Sequence, residues 1–383
     1  MKPIPYGKQY ISKEDLEAVS ETLQSDFLTQ GPKIAEFEKA FGQYIGSKHA
    51  LAVNNGTSAL HLAAEALGVK KGTNVITTPI TFAASANCVR YCGGNVYFAD
   101  IEKDSYLVDL NKVEDLLRSK PAGFFSGLIP VDFAGRAVNL EDCKTLADKY
   151  NLWIIEDACH SPGGYFTDSK GTKQYCGNSQ FADAAVFSFH PVKHIACGEG
   201  GMITCNRDDI YQEMSLLRTH GITKDASLMH QNDGGWYYEM QELGYNYRLT
   251  DFQAALGLSQ LKRADAGLER RKAIAKNYAD AFNGYEKING HSGFVEGHAY
   301  HLYIIEVEDR KGLYDHLRSK NIFAQVHYIP VHRLPYYQSL GWKAGDFPVA
   351  ENYYEHCLSL PMYPTLTEEE QEYVIREIRN YLS

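Results

Sequence analysis

Between Ala50 and Thr204, short apolar runs rich in β-branched residues alternate with stretches whose apolar residues recur at helical spacing, and this alternation narrows the fold more than any other feature. Strands are expected over 49–53, 74–77, 95–99, 127–131, 152–156, 184–187 and 202–204, with helices over 57–67, 82–91, 108–119 and 140–150. Such a series folds as a mostly parallel sheet covered by helices, a doubly wound α/β domain. Ahead of it lies an arm with two helical stretches joined by a turn at Leu28-Thr-Gln-Gly-Pro32. One stretch opens at Ser12 with Asp15 three residues on, a capping-box spacing. After about Thr250 the pattern becomes one long amphipathic helix over 251–285 carrying a basic cluster at Arg270, Arg271 and Lys272. A strand over 300–307, a helix over 311–319, a strand over 322–326 and a final helix over 367–382 follow. The 383 residues therefore divide, by expectation, into a larger α/β unit, 1–249, and a smaller α+β unit, 250–383.

Charge and composition exclude several classes of function. A net charge of −10 without a basic patch argues against nucleic acid as a partner. No run approaches the roughly 20 apolar residues of a membrane span, and the opening Met1-Lys-Pro-Ile-Pro-Tyr6 has no apolar leader core, so a cytoplasmic chain is expected. The eight cysteines follow no disulfide spacing. Cys88 with Cys92, and His327 with His332, form isolated pairs with no second pair at ligand spacing, and no metal is expected.

Candidate chemistry gathers at strand ends. The apolar strand over 184–187 delivers Lys193 beside the turn Gly198-Glu-Gly-Gly201, where a buried amine of lowered pKa could attack an aldehyde cofactor. Asn54-Asn-Gly-Thr-Ser58 follows a strand and opens a helix, so Gly56, Thr57 and Ser58 could cradle a phosphate or simply cap the helix. Asp157 ends another apolar strand, suited to a pyridinium nitrogen or to capping its own turn, and His160 three residues on could meet a phenolic oxygen. Phe82 could stack on a flat ring or serve the core, and Ser188 could reach a phosphate or bond its strand neighbours.

Taken together and in order, Leu28-Thr-Gln-Gly-Pro32, Asn55-Gly-Thr-Ser-Ala-Leu-His61, Ile155-Glu-Asp-Ala158, Phe187-Ser-Phe-His-Pro-Val-Lys193, Gly198-Glu-Gly-Gly-Met202, Leu217-Arg-Thr-His-Gly221 and Leu243-Gly-Tyr-Asn-Tyr-Arg-Leu-Thr-Asp251 closely resemble the DegT/StrS-type sugar-nucleotide aminotransferases. The resemblance implies the fold type I aminotransferase architecture and pyridoxal phosphate, cycling through pyridoxamine phosphate. It implies Lys193 as the Schiff-base lysine, Asp157 at the pyridine nitrogen, His160 at the ring oxygen and Phe82 stacked on the ring. Gly56, Thr57, Ser58 and Ser188 would hold the phosphate with Asn246 from the neighbouring subunit of a homodimer. His190, Tyr245, Arg248 and His327 are carried over as substrate-binding. Gln325-Val-His-Tyr-Ile-Pro330 and Pro191-Val-Lys-His-Ile195 look most like the transaminases of pseudaminic acid biosynthesis, which implies a UDP-linked 4-keto-6-deoxy-N-acetyl sugar and L-glutamate as partners. Spore-coat polysaccharide aminotransferases share Gly235-Trp-Tyr-Tyr-Glu239 and Tyr336-Tyr-Gln338. Related sugar dehydratases carry His at the Schiff-base position, where this chain has Lys193, and a cofactor-binding regulator would show a broken Lys193 or Asp157 position or an added DNA-binding domain.

Overall fold

In a computed structural model that describes residues 2–383, the alternating region forms a seven-stranded sheet. Its spatial order is His49–Val53, Gly201–Cys205, Ala184–Ser188, Trp153–Asp157, Gly127–Ile129, Asn74–Thr77 and Asn95–Phe98. Gly201–Cys205 runs antiparallel to both its neighbours, and every other pairing is parallel. All seven expected strands are present, with small shifts that matter: the strand expected over 152–156 is Trp153–Asp157, and that over 202–204 opens at Gly201. Register pairs Gly201 with both Ser188 and Val53, and Asp157 with Val186. Asp157 and Ser188 thus end their strands at the carboxyl edge of the parallel sheet, where open α/β sheets bind ligands.

The strands are buried on both faces, which is why they read as continuous apolar runs rather than as alternation. Val75, Ile76, Leu128, Ile154, Ile155 and Val186 belong to one large core, while Phe187 and Phe189 reach the other face and meet Phe37 and Phe41 of the helix Pro32–Ile45. The Phe41 and Phe187 rings meet edge to face, 4.9 Å between centroids at 75°. A third core gathers Ile274, Tyr278, Tyr303, Leu313, Leu358 and Val374 from the C-terminal segment, joined by Ile4 of the arm. Among the described residues no helix is long and apolar enough to cross a membrane.

Several expectations are corrected. The single helix over 251–285 is two, Asp251–Leu261 and Ala264–Phe282, because Arg263 leaves helical geometry at φ −121°, ψ 15°. Its guanidinium is held by Asp15 and the Tyr10 carbonyl and lies 4.6 Å from the Tyr10 ring centroid, a tertiary contact that periodicity cannot reveal. The basic cluster also splits, since Arg271 is buried while Lys272 stays at the surface beside Glu269. The helix over 82–91 opens at Ala84 and that over 108–119 spans Leu110–Arg118. The strand over 300–307 shortens to Tyr303–Glu306, and that over 322–326 to Ile322–Phe323, which pairs in parallel with Ile4–Pro5. The helix Asp208–Arg218 and the hairpin Tyr165–Thr167 with Lys173–Tyr175 were not anticipated, the latter because three-residue strands carry no readable period.

The Ser12 capping box is present, with Ser12 N donating to Asp15 at 2.9 Å and Asp15 N to Ser12 Oγ at 3.3 Å. A second tie joins two of the motifs quoted above. The buried Asp251 carboxylate accepts from Gly31 N at 2.8 Å and Lys33 N at 2.9 Å, capping the helix Pro32–Ile45 from the start of another helix. Asp251→Ala leaves both donors unpaired and should lower unfolding free energy by about 2 kcal/mol in urea melts. Asp251→Asn, which keeps one carbonyl acceptor, should lose less, and equal losses would show that the cap does not act through those bonds.

Candidate active site

A cleft of about 780 Å³ opens over the sheet's carboxyl edge. Ten of the residues singled out from sequence line it: Gly56, Thr57, Ser58, Phe82, Asp157, His160, Ser188, His190, Lys193 and His327. The helix Gly56–Ala66 points its N-terminus into the cleft. Asn55 caps it, accepting from Ser58 N at 2.8 Å and Ser58 Oγ at 3.0 Å, while the remaining first-turn N–H groups have no acceptor within the helix. This turn sits where it does because Gly201 has no side chain: a Cβ there would lie 2.5 Å from Asn55 O and 2.8 Å from Gly56 N. At Gly56, a Cβ would press to 3.0 Å from Ser188 Cβ, so the helix start and the Ser188 strand end close on one another. The result is a glycine-walled cradle with Thr57, Ser58 and Ser188 hydroxyls at its rim, suited to a phosphate at a positive helix end.

Asp157 is 5% exposed at the end of its strand. Oδ2 accepts from Ser85 Oγ at 2.6 Å, Ser85 in turn meets Thr81 Oγ1 at 2.7 Å, and Oδ1 accepts from Cys159 N at 3.2 Å. The carboxylate is thereby fixed in orientation and still lines the cleft. Directly behind the strand, the carboxyls of Asp132 and Glu156 and the Cys176 thiol lie within 4.8 Å of one another, all buried. Burial, then the nearby Asp132 charge, push Glu156 well above the usual carboxyl range, so the pair holds a proton rather than two negative charges. Ser161 Oγ and Val138 N donate to Asp132, and Gly177 N donates to Glu156.

Burial pulls the Lys193 amine below its ordinary value, opposed in part by the nearby Asp157 carboxylate. Cys159 itself stays a thiol, because burial, then the Asp157 charge, push it well up. His160 is pulled well below the usual imidazole value by burial and then by the Lys193 charge, so it is neutral, and its tautomer follows from its partners. Ala134 N donates to Nδ1 at 3.3 Å, leaving the proton on Nε2, which faces the Tyr328 hydroxyl at 3.3 Å. Phe82 stands at the mouth, 62% exposed, its ring 6.1 Å from that of Tyr328.

Three expected residues do not line the cleft of their own chain. Tyr245 donates to Glu65 at 3.3 Å and stacks on Tyr247 at 4.8 Å, and it is Tyr247 that faces the cleft. Arg248 lines a separate crevice with Gln30, Glu38 and Arg218, held there because its backbone bridges to Val53. Asn246 is exposed, its backbone bridged to Thr219. His190 is exposed at the rim, while His327 is buried and bonds Ser359 Oγ at 2.9 Å; its supposed mate His332 instead meets Glu351, and Cys88 and Cys92 are free thiols. Sequence reasoning missed Tyr6, Ser85, Tyr247, His301 and Tyr328. Only Ser85 left a local signal, one helical turn beyond Thr81; the others arrive from distant segments.

Desolvation makes several of these groups a liability in acid. Burial lowers His160, His194 and His301 well below the usual value, and His298 and His327 to about 3. In the unfolded chain each protonates near about pH 6.5, so below that pH the unfolded state binds more protons and stability falls as pH drops. His298 lies outside the cleft and accepts from Tyr300 N at 2.8 Å. In His298→Gln, the slope of unfolding free energy against pH between about pH 6 and 5 should flatten by up to about 1.4 kcal/mol per unit. Coincident slopes for the two proteins would refute a neutral buried imidazole.

The chain matches the profile of the DegT/DnrJ/EryC1/StrS aminotransferase family over residues 9–379. It is 38% identical over 389 positions to the spore coat polysaccharide biosynthesis protein SpsC of Bacillus subtilis, covering 98% of this chain and 96% of that one. It is 37% identical over 383 positions to a UDP-4-amino-4,6-dideoxy-N-acetyl-beta-L-altrosamine transaminase of Campylobacter jejuni, covering 97% of this chain and 95% of the relative. Among solved structures, PseC of Helicobacter pylori, an aminotransferase involved in pseudoaminic acid biosynthesis, superimposes with a TM-score of 0.89 at 31% identity, over 100% of this chain and 99% of its own. A putative sugar aminotransferase, Spr1654 of Streptococcus pneumoniae, solved in PLP and PMP forms, does so with a TM-score of 0.88 over 99% of this chain and 98% and 99% of those chains, at 28% and 29% identity. The chain belongs to the DegT/DnrJ/EryC1/StrS aminotransferase family: it is a transaminase whose cofactor is pyridoxal phosphate.

Proposed function

We propose that the chain transfers an amino group from L-glutamate to the 4-keto carbon of a nucleotide-linked 4-keto-6-deoxy sugar, of the UDP-4-keto-6-deoxy-N-acetyl-L-altrosamine type. The observation that carries the reading is one cleft holding three things at once: an amine of lowered pKa, a fixed carboxylate and the open N-terminus of a helix. The sugar assignment rests on the Campylobacter and Helicobacter relatives.

The residues fit the cofactor part by part. Gly56, Thr57, Ser58 and Ser188 hold its phosphate in the cradle. Asp157, pinned by Ser85 and Cys159 N, accepts a bond from the protonated ring nitrogen. His160, neutral with its proton on Nε2, donates toward the ring oxygen, and Phe82 covers the ring face. Bound there, pyridoxal phosphate supplies an aldehyde that condenses reversibly with amines and a ring that spreads negative charge from the adjacent carbon. Lys193 holds the resting cofactor. Its Nζ would then be the base that takes the proton from the donor α-carbon and the acid that returns it, and would do the same in reverse for the sugar. Its lowered pKa leaves more of the amine neutral, and so able to accept that proton.

Asn246 serves the neighbouring subunit's cleft in a homodimer. The exposed Phe27, Leu28, Trp236, Tyr238 and Leu243 supply apolar surface for a second copy to cover. A cytoplasmic site of action fits a soluble nucleotide-sugar substrate. A second reading, a different keto nucleotide sugar destined for a surface polysaccharide, is favoured by the match to SpsC.

With pyridoxal phosphate bound, L-glutamate should replace the visible absorption band by that of the pyridoxamine form, and that form should then aminate the UDP-4-keto-6-deoxy sugar, read by NMR of the product. Lys193→Ala should show no glutamate-dependent turnover. Measurable turnover in that variant removes Lys193 from the chemistry, and a wild-type band that glutamate leaves untouched while another amino acid converts it overturns the donor.

A further inference from the structure

A second cavity, of about 240 Å³, reaches the Lys193–His194 segment from between the N-terminal arm and the helix Ala264–Phe282. Lys8, Arg263, Arg270 and Arg271 line it together with Lys193 and His194, and among the described residues no carboxylate does. In a chain of net charge −10 this is an unusual concentration of positive charge. The nearby acid, Asp15, is already committed: it accepts from Arg263, from Gln260 Nε2 at 2.8 Å and from Ser12 N at 2.9 Å.

The other cations have no such partner. Arg271 is 1% exposed, and its Nη1 is solvated only by carbonyls, those of Tyr300 at 3.1 Å, His301 at 3.3 Å and Met362 at 3.0 Å. Its Nε is buried with no acceptor, as is Nε of Arg263, and the Nδ1 of His194 is likewise unpaired. Arg270 reaches only the Leu366 carbonyl, at 2.6 Å, and Lys8 is exposed at the cavity's edge. Among the described residues none of Lys8, Arg270 and Arg271 forms an ion pair with a carboxylate. A guanidinium taken out of water without a counter-ion is costly, and that cost is relieved when an anion enters beside it.

The structure assigns this cavity to a small, multiply charged oxyanion of the phosphate type, held by Lys8, Arg263 and Arg270 with the Arg271 charge behind them. Arg263, Arg270 and Arg271 come from one helix and its N-cap and Lys8 from the N-terminal arm across the cavity, and forked guanidinium donors suit a tetrahedral oxyanion. The volume, about 240 Å³, is ample for a free phosphate. The site is separate from the cradle at Gly56–Ser58, which lies in the catalytic cleft.

The test uses the cofactor-loaded protein, so that the phosphate cradle of the catalytic cleft is filled. Calorimetric titration with inorganic phosphate, against sodium chloride at matched ionic strength, should show saturable binding that chloride does not reproduce. The double variant Lys8→Gln/Arg270→Gln should weaken phosphate binding about tenfold or more, with the cofactor's absorption unchanged. Lys276→Gln, on the same helix but paired with Asp280 outside the cavity, should bind as the wild type does. If the double variant folds poorly, Lys8→Gln alone, altering only an exposed arm residue, should still weaken binding about threefold. Equal affinity in wild type and the Lys8 variants, or a response matched by chloride, overturns the assignment.

Discussion

The close approach of the Asn55–Gly56 turn to Gly201 governs the catalytic cleft. A peptide backbone can pass within contact distance of another only where a side chain is missing, and at Gly201 even a methyl group would collide with Asn55 O and Gly56 N. Because Gly201 pairs with both Val53 and Ser188, that contact fixes the N-terminus of the helix Gly56–Ala66 against the strand end that bears Ser188. Asp157 ends the next strand over, paired through Val186. One omitted side chain therefore brings a helix end, a serine and a carboxylate together along one edge of the sheet, lining a single cleft.

The same edge is expensive to build, because it buries ionisable groups in number. The fold meets that cost by keeping most of them neutral. The buried imidazoles of His160, His194, His301 and His327 are uncharged, Asp132 and Glu156 share a proton, and the thiols of Cys159 and Cys176 stay protonated. Two groups at this edge face the cleft under tighter control: the Asp157 carboxyl is held by a hydroxyl and a backbone N–H, and the Lys193 amine is pulled below its ordinary value by the same desolvation. Arg271 is the exception, a buried cation answered only by carbonyl dipoles.

Much of the cleft was legible because its chemistry is local. Gly56–Ser58 follows a strand and opens a helix, Asp157 closes an apolar run, and Lys193 stands between such a run and a glycine-rich turn, so each is visible within a dozen residues. Tyr6, Tyr247, His301 and Tyr328 carry no such mark, since each enters from a segment remote in sequence. Tyr245 and Tyr247 illustrate the limit: two tyrosines, two residues apart and stacked, of which only one faces the cleft. Arg271 shows it again, since one of three consecutive basic residues is fully buried.

The sequence by itself determined the parallel α/β sheet, the order of its strands along the chain and the turns that carry Lys193, Asp157 and the helix-start cradle, because periodicity, glycine placement and capping act over a few residues. Tertiary structure alone decided the break at Arg263, the shift that seats Asp157 inside its strand, which tyrosines wall the cleft and which cations gather in the second cavity. Those outcomes depend on contacts between segments far apart in sequence, such as Arg263 with Asp15, 248 residues apart, and Tyr328 with His160, 168 residues apart, and no local pattern encodes the meeting of two distant side chains.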